Sequence, residues 1–394
     1  MPVKIPAFRE RPTKFKLVSG FGSDIYLKYV ATDEVFAMLN LGHLVNAVQQ
    51  NCHISDARHA GDFTLCIFLL KMREFYRWEH DIPLAQDLPK NEVGAWLQER
   101  EEMWEHLESN NFESLPLEHG ACDPFDAEAI NRELIPQGYI YSGGYGRFHK
   151  PHFFLGQLVR KECRAGHDIY ISSCEYARDL EAPPAVLQGK TIFIRQESAQ
   201  RFLWEKIEER RWAQKNDAMD RALACYAFDR DTVAALERMT RNETETMVLH
   251  ELGEALAGEQ LGEDWHQMLG ALSRSKAEIM VRAVRDILAD CLSTLPGLLA
   301  AENHAAIHFY FANYGGMRKH LFPEAVEAYR RYVDEHSLEP LHTLAENGKT
   351  RWQQTASQIL QLHREQGEAA TAAIEKLLEF VPTFNYPRAP QALK

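Results

Sequence analysis

The sequence contains no hydrophobic run long enough to cross a membrane. Its longest apolar stretch, Phe63 to Leu70, falls well short of the ~18 residues that a membrane-spanning helix needs. The N-terminal segment MPVKIPAFRERPTKFK also lacks the apolar stretch of a signal peptide. We therefore expect no membrane partner and no secretion signal.

Excess positive charge and paired cysteines are missing as well. Lys and Arg number 44 against 57 Asp and Glu, which gives the 394 residues a net charge of -13. Such a field opposes non-specific contact with nucleic acid, so no nucleic-acid partner is expected. The seven cysteines include no CxxC pair, which indicates free thiols and a cytoplasmic location.

The common signatures of nucleotide and serine-hydrolase sites are also absent. The segment SGGYG does not form GxGxxG, and neither GxxxxGK[ST] nor GxSxG occurs in the chain. The sequence therefore gives no support for nucleotide binding through a standard phosphate loop or for a serine hydrolase elbow. The chemistry that remains must come from other ionisable side chains.

Hydrophobic periodicity and turn residues predict a mainly α protein with a small β element, an α+β arrangement. The central segment GYIYSGGYGRFHKPHFFL is typical of a hairpin, and HDIYIS and KTIFIR are typical of strands. After Ser198 the pattern is helical, with breaks expected at Gly258–Gly262, Leu295–Gly297 and Gly315–Gly316. The predicted helices of the N-terminal part are Asp33–Gln50, Ala60–His80 and Glu92–Glu108.

A soft boundary near Asn216 divides the chain into two predicted domains. Residues 1–215 form a helical N-terminal domain that includes the β element at about 138–195. Residues 216–394 form an all-helical bundle domain. The second domain carries the most unusual polar residues, so we expect the functional site there.

Three C-terminal helices each carry two polar residues at i,i+4 spacing, which places both members on one helix face. His304 and His308 share a face with Ile307 and Phe311, so we expect both imidazoles to be buried. A shared metal would satisfy two buried ring nitrogens together. The three pairs are His250 and Glu254, Asp286 and Asp290, and His304 and His308.

The other two pairs allow a second interpretation each. His250 and Glu254 lie opposite the apolar stripe of their helix, on a face that either meets solvent or receives another helix. Asp290 is the more enclosed aspartate, whereas Asp286 can pair with Arg282 one turn earlier.

Together these helices offer carboxylates and imidazoles of the kind that bind iron or manganese. The collection is similar to the three-histidine, three-carboxylate sites of heme-oxygenase-like di-iron oxidases, although here the third helix has no acid between its histidines. That resemblance implies one or two iron or manganese ions. The candidate ligands are Glu243, His250, Glu254, Asp286, Asp290, His304 and His308.

The same region supports a second kind of metalloenzyme. The segment HELGE resembles the zincin motif HExxH with Glu254 in place of the second histidine. His250 and Glu254 would then bind one zinc ion, with Asp290 or His304 completing the site. Glu251 would activate water as the general base.

Two features of the N-terminal domain also carry ionisable groups. Arg73 and Arg77 lie among aromatic residues, where they would either bind an anionic group of a substrate or form internal salt bridges. His149 and His152 are close together beside the glycine-rich hairpin. Surface loop histidines are the expected interpretation of the second feature.

The leading hypothesis is a cytoplasmic, metal-dependent di-iron or di-manganese oxidase or oxygenase of a small organic substrate. A mononuclear zinc hydrolase that uses Glu251 is the second hypothesis. A helical interaction protein without enzymatic activity, with its histidines satisfied by hydrogen bonds, is the third. A homo-oligomer is compatible with each of them.

Overall fold

The computed structural model describes residues 40–146, 149–212, 217–272 and 275–379. Helices dominate, and they accompany a five-stranded sheet and a two-stranded ladder, so the predicted mainly α, α+β class is confirmed. The chain separates into two compact units. The first comprises Met1–Gln157 and Glu175–Ala182, and the second comprises Leu158–Cys174 and Pro183–Lys394.

The helices of the first unit differ from the predicted ones at their ends. The predicted helix from Asp33 begins outside the described residues; the described α1 starts after Asn40, whose side chain accepts a hydrogen bond from the backbone N–H of His43. The predicted helix Ala60–His80 is interrupted, because Thr64 is extended and α2 begins only at Leu65. The bounds are α1 Leu41–His59, α2 Leu65–Glu79, α3 Lys90–Leu107 and α4 Ala127–Leu134, with strands β1 Leu115–Leu117 and β2 Gly120–Cys122.

The central strands form one sheet in the order β3, β4, β5, β7, β6. The predicted hairpin is present: β3 and β4 pair antiparallel, with Gly143 opposite Phe153. Strand β6 was not predicted, and it pairs antiparallel with β7 directly after two prolines that exclude a helix. The strands are β3 Tyr139–Tyr145, β4 Pro151–Arg164, β5 His167–Arg178, β6 Ala185–Gln188 and β7 Thr191–Arg195.

The described part of the second unit continues as helices to Glu379. They enclose an apolar core that includes two fully buried tryptophans, Trp265 and Trp352. The helices are α5 Gln196–Trp212, α6 Asp217–Ala224, α7 Thr232–Leu261, α8 Glu263–Ala271, α9 Lys276–Ala289, α10 Leu295–Ala300, α11 His304–Ala312, α12 Gly316–Leu321, α13 Glu324–Glu335, α14 Glu339–Gln366 and α15 Ala370–Glu379.

Of the helix breaks expected after Ser198, the one near Asn216 lies outside the described residues, and the one at Leu295–Gly297 is wrong. Gly262, with φ +72°, ends α7, and α11 and α12 are separated before Gly316. Between α9 and α10, however, the chain stays helical through a π-helical turn at Asp290–Thr294. Pro296 lies in the first turn of α10, where a missing backbone N–H is tolerated, so it does not stop the helix.

Helix α7 is the central scaffold of the second unit. One face packs Val248 and Leu252 against isoleucines of β5 and β7, including Ile169 and Ile192. Its opposite side approaches the end of α9, because Gly253 leaves no side chain between the two helices. This contact brings His250 and Glu254 beside the π-helical turn.

Within the described ranges, none of the helices is both long enough and apolar enough to span a membrane.

Candidate functional site

Asp290 is the centre of a polar cluster in the second unit. It is the first residue of the π-helical turn and is only 1% exposed. Three groups donate hydrogen bonds to its carboxylate: His250 Nδ1 to Oδ1 at 3.3 Å, Tyr310 Oη to Oδ2 at 2.8 Å and Arg318 Nη1 to Oδ2 at 2.8 Å. Turns of this kind are frequent at functional sites, since they redirect side chains within a helix.

Burial alone would raise the pKa of Asp290. The hydrogen bond from His250, the positive charges of His250 and Arg318, and the hydroxyl of Tyr310 outweigh that effect and hold the pKa below its usual value. The carboxylate is therefore ionised at neutral pH although it is buried.

His250 lies between two carboxylates, with one at each ring nitrogen. Nδ1 faces Asp290, and Nε2 lies 3.5 Å from Glu254 Oε1 one turn further along α7. Burial would lower the pKa of His250, but its hydrogen bonds to Asp290 and Glu254 raise it well above the ordinary range. The His250 side chain keeps 35% exposure, so one edge of the cluster is open to solvent.

Arg285 lies between the carboxylates of Glu254 and Asp286. Its Nη2 lies 3.1 Å from Glu254 Oε2 and 3.3 Å from Asp286 Oδ1. The Nε atom of Arg285 is buried, and it has no hydrogen-bond partner among the described residues. Arg282, the other partner expected for Asp286, pairs with Glu278 instead.

Glu251 borders the same cluster. Burial, opposed by the charge of His250, raises the pKa of Glu251 to about 7. A carboxyl group in this range can both accept and release a proton near neutral pH.

The structure brings together four of the seven predicted metal ligands: His250, Glu254, Asp286 and Asp290. Glu243 lies on α7 two turns before His250 and is almost completely buried. Burial raises the pKa of Glu243 to about 7, and its Oε1 has no hydrogen-bond partner in the described part of the chain.

His304 and His308 each bond to a tyrosine of α13. Nδ1 of His304 lies 2.7 Å from Tyr332 Oη, and Nδ1 of His308 lies 2.9 Å from Tyr329 Oη. The expectation that both imidazoles are buried is wrong for His304, which is exposed, whereas His308 is half-buried. His304 is the first residue of α11, and a side chain at a helix end is less enclosed than one in the middle.

The side of α11 that faces Asp290 carries Tyr310, which donates to the Asp290 carboxylate. Tyr310 and Arg318 were missed as members of the site. Helical phase could have singled out Tyr310, because it lies on the face away from His304 and His308. No sequence signal indicated Arg318, since its contact depends on the path of the chain between α11 and α12.

The predicted arginine pair of the first unit is engaged within the protein. Arg77 is buried, and its Nη1 donates to the backbone oxygens of Pro83 at 2.6 Å and Gln86 at 2.8 Å. Arg73 is more exposed and lies 3.6 Å from Glu74.

A different group of side chains in the first unit has metal-compatible spacing. One ligand atom from each of Glu118, His119 and Glu133 lies within 4.8 Å of the others. His119 Nδ1 is 3.2 Å from Glu133 Oε1, a contact between an exposed histidine and a partly buried glutamate. None of the three is a predicted ligand.

Two family models match the chain in order. Residues 43–195 match the N-terminal domain of the family of unknown function DUF6866, and residues 200–380 match its C-terminal domain. Because both domains of this one family are present and together span most of the sequence, the chain belongs to the DUF6866 family. No curated protein and no solved structure is significantly similar to the chain.

Proposed function

We propose that the second unit is a metal-dependent hydrolase with one divalent ion of the zinc type, held by His250 and Glu254. The observation that carries this proposal is the position of His250, with Nε2 3.5 Å from Glu254 and Nδ1 on Asp290. Two ligands with bonds of about 2.1 Å in tetrahedral geometry are separated by roughly 3.4 Å. The His250–Glu254 pair is close to that separation.

The second nitrogen of His250 has the partner that metal-binding histidines commonly have. Such a histidine usually donates its other N–H to a carboxylate, which fixes the ring orientation and the tautomer. Asp290 supplies this carboxylate. Tyr310 and Arg318 in turn hold Asp290 in place and keep it ionised.

The carboxylates of this site already contact a positive charge, which supports the binding of a cation. The guanidinium of Arg285 lies between Glu254 and Asp286 and neutralises both. A divalent ion at His250 and Glu254 would replace this charge.

A bound divalent ion would supply a Lewis acid that acidifies water at neutral pH. The protein groups then have separate roles. His250 and Glu254 would hold the ion, Glu251 would take a proton from water as the general base, and Asp290 would keep the imidazole of His250 in one orientation. The substrate is a small molecule with a hydrolysable acyl or related bond, and it reaches the exposed edge of His250.

A dinuclear oxidase has less support. Such a site would draw on His304 and His308 together with Asp290, but both Nδ1 atoms bond to tyrosines of α13. Iron or manganese in place of zinc at the single site remains a measurable alternative.

We also propose a cytoplasmic location. All seven cysteines lie in the described residues, and none of them is in a disulfide. Reduced thiols of this number are typical of proteins in a reducing compartment.

The decisive experiment is metal analysis of full-length protein purified without chelator, followed by titration of the metal-free protein with Zn²⁺. We expect about one equivalent bound with His250-dependent affinity. His250→Gln and Glu254→Gln should each weaken binding by more than tenfold, since even partners outside the ligand shell typically contribute 10–100-fold.

His266→Gln is the matched control, because His266 lies on the exposed surface of α8. Its affinity for Zn²⁺ should equal that of the wild type. Wild-type protein that binds no divalent metal, or that binds it equally well after both substitutions at His250 and Glu254, would exclude the metallohydrolase.

A further inference from the structure

A second cluster of buried charges lies entirely within the first unit. Lys150 is only 5% exposed, and its Nζ lies 3.1 Å from Oδ1 of the buried Asp56. Asp179 is fully buried and bonds to His152, with 2.6 Å between its Oδ2 and Nδ1 of the ring. Four ionisable side chains are therefore removed from most solvent contact outside the site of the second unit.

Each aspartate of this cluster contacts a basic side chain and accepts a hydrogen bond from a backbone N–H. The N–H of Leu180 donates to Asp56 Oδ2 at 2.8 Å, and the N–H of Ala182 donates to Asp179 Oδ1 at 2.7 Å. Both carboxylates are thus fixed by the segment at 179–182. The imidazole of His152 is held in one tautomer as a result, with a hydrogen on Nδ1.

The other nitrogen of His152 faces the carboxylate of Glu181. The side chain is 23% exposed, and Nε2 lies 3.7 Å from Oε2 of Glu181, a residue at the rim with 41% exposure. Gly146 lies directly against the ring, since a Cβ there would come within 2.5 Å of Nε2. A glycine at this position leaves room beside the nitrogen that any other residue would fill.

The electrostatics of His152 follow from these contacts. Burial would lower its pKa, but the hydrogen bond and charge of Asp179 and the charge of Glu181 raise it, against the opposing charge of Lys150. A buried ion pair is often no more stable than apolar side chains of the same volume. Stability of the fold alone therefore does not account for this arrangement. An imidazole oriented by a buried carboxylate, with its second nitrogen beside a partly exposed rim, is the arrangement of a general acid–base catalyst.

We propose that His152, positioned by Asp179, is the proton-transfer group of a second reactive site that accepts small neutral molecules with an ester or similar carbonyl group. This site is independent of the metal centre proposed for the second unit. Glu181 at the rim disfavours anionic substrates. Lys150 and Asp56 form the fixed charge pair beneath the dyad.

The proton transfer can be written for the neutral probe 4-nitrophenyl acetate. Water gives a proton to Nε2 of His152 while its oxygen bonds to the acetyl carbon. The bond from that carbon to the phenolic oxygen breaks, and 4-nitrophenolate leaves with the electron pair. Acetic acid is the second product, and the proton on Nε2 passes to solvent.

The test measures hydrolysis of this probe by the full-length protein in the presence of chelator. We expect a His152-dependent rate, with at least a tenfold loss in His152→Gln. Asp179→Asn should lower the rate similarly and shift the pH midpoint of the remaining activity downward, as expected for a positioning residue. His149→Gln is the control, because His149 is an exposed histidine three residues away, and it should keep the wild-type rate.

Glu181→Gln provides a second variant that leaves the buried contacts intact. Loss of the rim carboxylate lowers the pKa of His152 and increases its unprotonated fraction, so the rate at pH 6 should rise severalfold. Hydrolysis that is equal in wild type, His152→Gln and Glu181→Gln overturns the proposal. Activity abolished by chelator alone would assign the reaction to the metal centre and would equally overturn it.

Discussion

Gly253 of α7 lies against the backbone carbonyl of Ala289 at the end of α9, and a Cβ on Gly253 would come within 2.5 Å of that oxygen. A carbonyl group cannot move aside as a flexible side chain does. Gly253→Ala should therefore separate the two helices and destabilise the protein by about 1–3 kcal/mol, as overpacking typically does. Urea denaturation monitored by circular dichroism would measure the loss.

Gly258→Ala is the control for this prediction, since the same helix there has no atom within 4 Å of an added Cβ. Replacing an unconstrained helical glycine by alanine should stabilise the protein by about 0.5–1 kcal/mol. Equal effects at the two glycines would contradict the close approach of α7 and α9.

Asp290→Asn should be among the most destabilising single changes in the second unit. It leaves the guanidinium of Arg318 without its buried counter-charge, and breaking a buried ion pair from one side typically costs about 3–5 kcal/mol. Asp286→Asn removes a carboxylate that is partly exposed, so its effect should stay below about 1 kcal/mol. Comparing the denaturation midpoints of these two variants checks the difference.

The raised pKa of Glu243 predicts that the free energy of unfolding decreases as the pH rises. Its folded-state pKa is raised from 4.5 to about 7, so the folded protein holds this proton more tightly than the unfolded chain does. The stabilising contribution is complete below about pH 4 and is lost as the pH rises through about 7, by up to roughly 3 kcal/mol.

Glu243→Gln should remove this part of the pH dependence. Unfolding free energies measured in urea between pH 5 and pH 8 should fall less steeply in the variant than in the wild type. Contributions from other groups, including Glu251, are common to both proteins and cancel in the difference. Parallel pH profiles would show that Glu243 is not buried as described.

His308 should remain neutral in mildly acidic solution. Burial, together with the charges of Arg221 and His304, lowers its pKa to about 4. An NMR titration of the imidazole signals should place the His308 midpoint near that value. Arg221→Gln should raise the midpoint, and a wild-type midpoint near 6.5 would disagree with the half-buried position of the ring.

Local patterns in the sequence were sufficient for much of the architecture. The aromatic and β-branched residues predicted the hairpin of β3 and β4, because that signal acts over a few residues, although Gly143 and Gly144 lie within β3 and not in its turn. The ends of α2 were predicted less well, since nothing in the apolar run Leu65 to Leu70 distinguishes a helix that starts at Ala60 from one that starts five residues later. The continuity of α9 into α10 was missed because a π-helical turn accommodates Pro296 without a break.

Candidate site residues were partly predictable for the same reason. Helical spacing placed His250 and Glu254 on one face and identified Asp290 as the enclosed aspartate. Spacing within one helix does not determine which helix lies opposite, so it did not reveal that tyrosines of α13 meet His304 and His308. The packing of Gly253 on Ala289, which brings Asp290 to His250, is a property of two helices together.

The division of the chain between the two units constrains the order in which they are completed during synthesis. The first unit requires residues 175–182, which include Asp179, yet residues 158–174 of the second unit precede them in the chain. During synthesis the first unit therefore cannot be completed until residues 158–174 of the second unit have been made. A fragment ending at Gln157 would lack the carboxylate of Asp179 that orients His152, and a cut after Ala182 would remove residues 158–174 from the second unit, so neither cut gives two complete units.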